Sequence, residues 1–262
     1  MTKRTVLLRR CRPLLSFAFW IGLWWLIALL FDKPLLLPPP PQMLAALFRL
    51  AGTGNFYLTV ILSLARIMLG ILLAMLTGVL LSLLTVKSDF LHHLFSPLLS
   101  LFKATPVASV IFLLLLWVGR AQVPVLIAFM MALPIVWSNV REGLLQTDRL
   151  LLEMAAVFGV SGKRVLTGIR LPSLKPYLLA AARSAIALAW KAGIAAEVLC
   201  TPERSIGRAI YEGKLYLITD ELFAWTFVVI LISVLIEWGA LKLLDRARGN
   251  TTASDTQREV AE

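Results

Sequence analysis

Five ionisable side chains interrupt long apolar stretches of this sequence: Arg66, Arg183, Lys191, Glu197 and Glu237. A charged side chain at the centre of an isolated helix costs about 2.5–3.5 kcal/mol to insert into a membrane. Each of the five is therefore expected to face a water-filled cavity, to pair with another charge, or to reach the membrane surface. The chemistry open to such residues is the binding and passage of a charged solute.

The stretch from residue 177 to 199 carries three of these charges and a tryptophan. Arg183 and Glu197 are 14 residues apart, which on an α-helix places them within about 40° of each other and about 21 Å apart along the axis. Trp190 lies seven residues before Glu197 and shares its direction. Small residues at four-residue spacing lead up to Glu197, and such stripes let helices approach closely: Ala181, Ala185, Ala189 and Gly193.

We predict that this segment lines part of a solute path. The candidate path residues are Arg66, Arg183, Trp190, Lys191 and Glu197. In the alternative interpretation, Arg66 and Arg183 lie near the membrane surfaces and extend to lipid headgroups, Glu197 sits in a structural ion pair, and Lys191 has no contact with solute. Glu237 is predicted to form a structural pair near the cytoplasmic end of the last span.

Motifs for catalysis or nucleotide binding are incomplete in this chain. Residues 161–164 read SGKR, but a phosphate-binding loop needs glycine where Val157 stands and Ser or Thr where Arg164 stands. The adjacent His92 and His93 face different ways on a helix and suit a shared metal ion poorly. We therefore expect no catalytic residue, no metal site and no cofactor in this chain. An intramembrane enzyme and a passive channel remain as alternative functions.

The composition indicates the class of protein. Of the 262 residues, 59% are hydrophobic and 16% are charged, and the mean hydropathy is +0.84. Apolar runs of about 20 residues recur, which is the length that crosses about 30 Å of hydrocarbon. They lack the alternation of barrel strands. Because only helices and closed barrels satisfy their backbone in lipid, we predict an all-α polytopic membrane protein.

We predict one transmembrane domain over residues 14–246, between a cytoplasmic N-terminus (1–13) and a disordered cytoplasmic tail (247–262). Its six predicted spans cover residues 14–31, 57–85, 104–118, 122–140, 177–199 and 222–243. The proline run at residues 38–41 cannot lie inside a helix. The segment after it is predicted to form a helix on the membrane surface, because four apolar residues share one face: Leu44, Leu47, Phe48 and Ala51.

The Lys and Arg residues indicate the orientation of the spans. Most of the 26 lie at the N-terminus, after the last span, and in the connections that follow the second and fourth spans. Such connections stay in the cytoplasm, so we predict that both termini are cytoplasmic and that the protein lies in the inner (plasma) membrane of a bacterium. The net charge of +11 is then explained by the lipid bilayer, without a nucleic-acid partner.

The cytoplasmic connection at residues 141–175 is the longest of the chain. Leu150, Met154 and Phe158 recur at four-residue spacing with Val157 beside them, which predicts a short helix with one apolar face. Gly159 is predicted to end this helix in a left-handed conformation. Ser161 is expected to cap a second short helix, which should stop before the proline at position 172. From periodicity alone, the apolar face could equally rest on lipid headgroups.

The residue order in this connection resembles the EAA loop of ATP-binding-cassette (ABC) importer permeases. That loop reads E-x-A-x-x-x-G, then nine residues and I-x-L-P. The matching positions are Glu153, Ala155, Gly159, Ile169, Leu171 and Pro172, with Met154 where the family usually has alanine. Four further segments are similar to the nitrate, sulfonate and taurine branch of the family: LLPPPPQMLAAL, SLARIMLG, SPLLSLFKATPVASVIFLLLLWVG and AWKAGIAAEVL.

The resemblance implies a type I ABC importer permease fold with about six transmembrane helices. It implies that the loop couples to a cytoplasmic ATPase dimer, which binds ATP and Mg, through Glu153, Met154, Ala155, Val157, Phe158, Gly159, Ile169, Leu171 and Pro172. It also implies a second permease copy in a homodimer and an extracytoplasmic solute-binding protein. The implied solute is a small anion such as nitrate, a sulfonate, taurine or bicarbonate, and the chain itself is implied to be a transport subunit rather than an enzyme.

Overall fold

The computed structural model describes residues 3–259, and every regular element over this range is a helix. The elements follow in the order α1 (Lys3–Phe31), α2 (Pro40–Ala51), α3 (Gly54–Lys87), α4 (Asp89–Ala104), α5 (Val107–Leu114), α6 (Val123–Leu145), α7 (Arg149–Val157), α8 (Gly162–Val165), a π-helical turn (Leu166–Arg170), α9 (Leu171–Cys200), α10 (Ile206–Leu215) and α11 (Thr219–Glu259). The predicted all-α fold is confirmed for the part of the chain described.

Four helices among the described residues are long and apolar enough to cross a membrane. They are α3, α6, the continuous helix Gly162–Cys200 and the first part of α11, Thr219–Gly239. The bent pair of α4 and α5 would make a fifth crossing, and α1 contains a shorter apolar stretch at Ala18–Phe31. The predicted N-terminal segment 1–13 belongs largely to α1, and its first two residues lie outside the described range.

The third predicted span, 104–118, differs from the structure. The chain breaks at Thr105 and Pro106, and the helices on either side are bent by 103°. Proline disfavours the helical conformation of the residue before it, and Thr105 is accordingly extended, with φ −76° and ψ 132°. The helix that follows, α5, has eight residues, or about 12 Å of length. Residues 104–118 therefore do not form a single straight crossing helix.

Helices α3, α6 and α9 form the core of the molecule, and small residues bring them close together. A side chain at Gly70 of α3 would meet the Val125 carbonyl oxygen of α6 at 2.3 Å, and one at Gly193 of α9 would meet Ile67 of α3 at 2.7 Å. Without a hydrophobic difference between lipid and side chain, such close packing is a main source of helix association in membranes.

Helix α2 begins at the end of the proline run, and one of its faces packs on α11. Met43 and Ala46 are buried with Ala224, whereas Phe48 is 74% exposed. At the end of α2, Arg49 donates hydrogen bonds to Glu221 at 2.9 Å and to Asp220 at 3.2 Å. These bonds, that to Glu221 foremost, raise the pKa of Arg49 above its ordinary value.

The predicted disordered tail also differs from the structure. Helix α11 continues through most of residues 247–262 and ends at Glu259, and residues 260–262 lie outside the described range. No proline follows Pro202 in the sequence, so the polar composition of the tail contains no residue that must stop a helix.

Candidate functional site

Helix α7, in the connection between α6 and α9, has well-defined ends. At its start the Asp148 carboxylate accepts a hydrogen bond from the Leu150 N–H at 2.8 Å, which satisfies a helix donor that would otherwise lack a partner. At its end Gly159 has a φ of +63°, and the Val160 N–H donates to the Ala155 carbonyl at 2.8 Å. This pattern is a Schellman motif, and the predicted left-handed conformation of Gly159 is confirmed.

The apolar side chains of α7 are exposed. Leu150 is 70% exposed, Met154 55%, Val157 83% and Phe158 77%. Ala155, in contrast, is buried against the rest of the molecule. Large apolar side chains exposed together mark an interaction surface. We call these four residues the α7 patch.

Glu153 lies beside the α7 patch and is also exposed. Its carboxylate accepts a hydrogen bond from the Arg149 Nε at 3.1 Å, one turn earlier on the same helix. Exposed pairs at this spacing contribute a few tenths of a kcal/mol to helix stability. The Glu153 carboxylate therefore remains open to a partner.

In the second half of the loop the structure differs from two of the expectations. The side chain of Ser161 makes no capping hydrogen bond, and the helix does not stop before Pro172 but continues from Gly162 to Cys200. A π-helical turn at Leu166–Arg170 directly precedes Leu171 and Pro172, so wider backbone spacing replaces regular α geometry where proline cannot donate a hydrogen bond. Ile169 is partly buried there, whereas Leu171 and Pro172 are exposed.

The structure places Glu197 at the centre of a buried polar cluster. Its side chain has no exposed surface. Its Oε2 accepts hydrogen bonds from the Ser63 hydroxyl at 2.7 Å and from the Gly207 N–H at 3.2 Å, and its Oε1 lies 3.5 Å from the Arg66 Nη1. Helices α3 and α9 and the start of α10 therefore meet at one carboxylate.

Arg66 also donates hydrogen bonds to backbone carbonyl groups. Its guanidinium donates to the carbonyl oxygens of Glu203 at 2.9 Å and Arg204 at 3.3 Å, and its side chain is 17% exposed. Both residues belong to the turn between α9 and α10. The structural ion pair of Glu197, which was the alternative interpretation, thus has Arg66 as its partner.

Only two of the five candidate path residues are exposed. Arg183 and Lys191 lie on the open face of α9, about 12 Å apart along its axis. Trp190 is 1% exposed and packs in the core, and the Glu197 and Arg66 side chains are held as described. The ladder of small residues that leads to Glu197 is itself buried, because it forms the contact with α3 and α6. The exposed face of α9 is therefore not the face that carries the small-residue ladder, which was assigned to the solute path from the sequence.

Glu237, the fifth intramembrane charge, is partly buried. It forms no ion pair with the side chains that the structure describes. The predicted structural pair near the end of the last span is therefore not among the contacts of these residues.

Sequence reasoning missed Ser63 and Gly207. Ser63 belongs to a buried stripe on α3 whose members recur every three or four positions, and all of them except Ile67 are small or polar: Thr59, Ser63, Ile67, Gly70, Ala74, Gly78, Ser82 and Thr85. This spacing marks a packing face for another helix. Gly207 is adjacent to the Glu197 backbone, and no local pattern indicates this contact.

Comparison with known proteins identifies the family. Residues 67–248 match the family described as "Binding-protein-dependent transport system inner membrane component". The chain belongs to this family. It is a multi-pass ABC importer permease subunit of the inner membrane.

Relatives of this permease include the taurine transport system permease protein TauC of Escherichia coli (strain K12), which is 27% identical over 239 residues, 88% of this chain and 86% of that protein. The nitrate import permease protein NrtB of Synechococcus elongatus is 29% identical over 161 residues, 61% of this chain and 58% of that protein. The formylaminopyrimidine transport permease protein ThiX of Halalkalibacterium halodurans is 29% identical over 182 residues, 68% of this chain and 71% of that protein.

Among solved structures, an inward-facing conformation of the MetNI methionine ABC transporter has the same fold. The TM-score is 0.58 at 15% sequence identity, and the match covers 73% of this chain and 93% of that one. The predicted type I importer permease fold is thereby confirmed.

Proposed function

We propose that this permease is coupled to a cytoplasmic ATPase through the loop at residues 148–172, with the α7 patch as the docking surface. The observation that carries this proposal is the exposure of Leu150, Met154, Val157 and Phe158 on one short, rigidly capped helix. A lipid surface would also accept apolar side chains. The Schellman end, however, fixes Phe158 and Val157 in one arrangement, which favours a shaped partner.

The size of the α7 patch suits a docking contact. Burying roughly 300 Å² of apolar surface would contribute about 7 kcal/mol before the costs of ordering and association are subtracted. The net energy is smaller, but two such patches in a dimeric permease would act together. ATP and Mg are bound by the partner ATPase in this proposal, and this chain provides only the contact.

Motion at the loop would reach the opposite side of the membrane through a single element. The helix from Gly162 to Cys200 has 39 residues, or about 58 Å, and it starts three residues after Gly159. An ATPase that displaces α7 would therefore tilt the whole of this helix against α3 and α6. Rigid-body motion of this kind is a common way of switching between two states.

The solute is proposed to be a small anion. Arg183 and Lys191 are the exposed intramembrane cations of α9, and facing lipid with both would be costly. A second copy of the chain, in a homodimer, would enclose the two faces and place four cations around one path. Taurine and nitrate, named for two of the relatives, both carry an anionic group. An extracytoplasmic solute-binding protein is proposed to deliver the solute.

The experiment compares Phe158→Asp with Phe90→Asp. Phe90 is 74% exposed, close to the 77% of Phe158, but it lies on α4 outside the loop. The permease is co-expressed with the ATPase of its transport system, and co-purification and ATP-dependent uptake are measured. We expect Phe158→Asp to lose both and Phe90→Asp to keep both. Equal co-purification and uptake in the two variants would exclude the α7 patch as the docking surface.

A further inference from the structure

The turn between α9 and α10 is held in an unfavourable backbone conformation. Thr201 has a φ of +47° and Arg204 a φ of +49°, in the left-handed region that residues other than glycine rarely enter. Two such residues within four positions require surrounding contacts that hold them in place. The conformation of the turn therefore depends on contacts with the rest of the molecule.

The contacts that hold the turn come from side chains of α3 and α9. The Arg66 guanidinium donates to the carbonyls of Glu203 and Arg204. The Ser63 hydroxyl accepts from the Ile206 N–H at 2.9 Å, while it donates to Glu197. The Glu197 carboxylate accepts from the Gly207 N–H. Three side chains, those of Arg66, Ser63 and Glu197, therefore bind four backbone groups of the turn and of the first residues of α10.

The start of α10 and the end of α9 are in close contact beside this cluster. A Cβ added to Gly207 would lie 2.3 Å from the Glu197 Cβ and 2.4 Å from the Val198 nitrogen. The start of α10 therefore lies directly on the backbone of α9. Glu197 is fully buried, and among the described residues its carboxylate is held by Ser63, Arg66 and the Gly207 N–H.

We propose that Glu197, Ser63 and Arg66 form a positioning cluster that locks the turn and α10 to α3 and α9. Residues of α10 and of the turn, with Asn55 and Thr59 of α3, line part of a cleft of about 440 Å³ on this side of the molecule. When α9 tilts, the cluster transmits the movement to this cleft. The coupling loop at residues 148–172 and the far surface of the permease therefore move together. The transport part of this inference rests on the proposed function, whereas the locking of the turn does not.

The variants separate charge from hydrogen bonding. Glu197→Ala removes the acceptor of two hydrogen bonds, and Glu197→Gln keeps an acceptor while it removes the charge. Ser63→Ala is a milder change, which keeps the test valid if Glu197→Ala does not fold. Arg49→Gln is the matched control, because Arg49 is also held by two acceptors, but these are the partly exposed Asp220 and Glu221, which do not belong to the cluster.

The first readout is the native thiol of Cys200, which is free and 2% exposed and adjoins Thr201. With Cys11 replaced by serine, its rate of reaction with a maleimide reports opening of the turn. We expect Glu197→Ala and Ser63→Ala to raise this rate about tenfold or more, as expected when a hydrogen bond to a charged group is lost. Glu197→Gln keeps a neutral acceptor and should raise the rate less than Glu197→Ala does, whereas Arg49→Gln should stay near the parent rate.

The second readout is solute uptake at equal ATPase co-purification. Uptake should fall in Glu197→Ala and Ser63→Ala and be restored in Glu197→Gln, whereas a purely structural role would lower co-purification and uptake in parallel. Parent-like thiol rates in both Glu197→Ala and Ser63→Ala, or parent-like uptake in them, would overturn the proposal. If the parent protein itself shows no ATP-dependent uptake, the proposed function fails, and the thiol rates still decide whether the cluster locks the turn.

Discussion

Two glycines of this permease, Gly159 and Gly207, are constrained in different ways. Gly159 ends α7 with a positive φ, and Gly207 lets α10 lie against α9. At Gly159 the constraint is conformational, since open space surrounds the position. At Gly207 the constraint is steric. The two glycines therefore predict different kinds of defect.

Gly159→Val is expected to weaken ATPase docking and uptake while membrane insertion stays intact. A β-branched residue disfavours the left-handed conformation, at a cost of about 1–2 kcal/mol, so the end of α7 and Phe158 would shift. Gly162→Val is the control, because Gly162 also has open space around it but no positive φ. Co-purification with the ATPase measures the effect, and equal yields for the two variants would contradict the explanation.

Gly207→Ala is expected to destabilise the folded permease by about 1–3 kcal/mol, the range for overpacking a tight contact. The neighbours are the Glu197 Cβ and backbone atoms of Glu197 and Val198, none of which lies at the end of a flexible side chain that could move aside. Unfolding of the purified protein in mixed micelles measures the change. Gly239→Ala, where an added Cβ meets nothing within 4 Å, should have little effect. A similar small change in both variants would show that α10 is free to shift.

At this scale the sequence predicted that the buried charges need partners, but not which partners. Insertion cost alone indicated that Glu197 must be paired or face water. Ser63, however, lies 134 residues away, and periodicity within one helix shows only which face is packed. The conformation of Gly159 could be predicted because its cause is local, namely a helix end.

At the scale of elements, the helix from Gly162 to Cys200 joins the loop to the far side of the membrane. Its buried face carries the small-residue ladder, and its open face carries Arg183 and Lys191. The sequence predicted the ladder, but it did not show whether packing or a solute path would use that face. Similarly, proline at position 106 was visible, but the 103° bend depends on the tertiary position of α5.

Lys191→Gln and Arg183→Gln are expected to lower anion uptake about tenfold, chiefly through a higher KM, because each removes a charged contact of about 1.5 kcal/mol or more. Uptake of a labelled sulfonate at varied concentration measures this. Arg120→Gln is the control, since Arg120 is exposed in the short turn before α6. An unchanged KM in both path variants would mean that the open face of α9 does not line the path.

At the scale of the whole molecule, the single chain exposes a large apolar surface, which fits its place in a lipid bilayer. Many of the exposed large apolar residues lie on the helices long enough to cross a membrane or on the shorter apolar stretch Ala18–Phe31, which fits contact with lipid. The α7 patch is outside these helices. Composition predicted the membrane class, and the distribution of Lys and Arg predicted the orientation, because both depend on averages over many residues rather than on individual contacts.

The most direct test of the account is the accessibility of one position of the α7 patch. Val157→Cys is made in a background without other cysteines and treated with a membrane-impermeant maleimide. We predict labelling in inside-out vesicles, none in right-side-out vesicles, and protection when the partner ATPase is bound. Labelling from the outer face, or unchanged labelling with the ATPase bound, would contradict the claim that α7 couples this permease to a cytoplasmic motor.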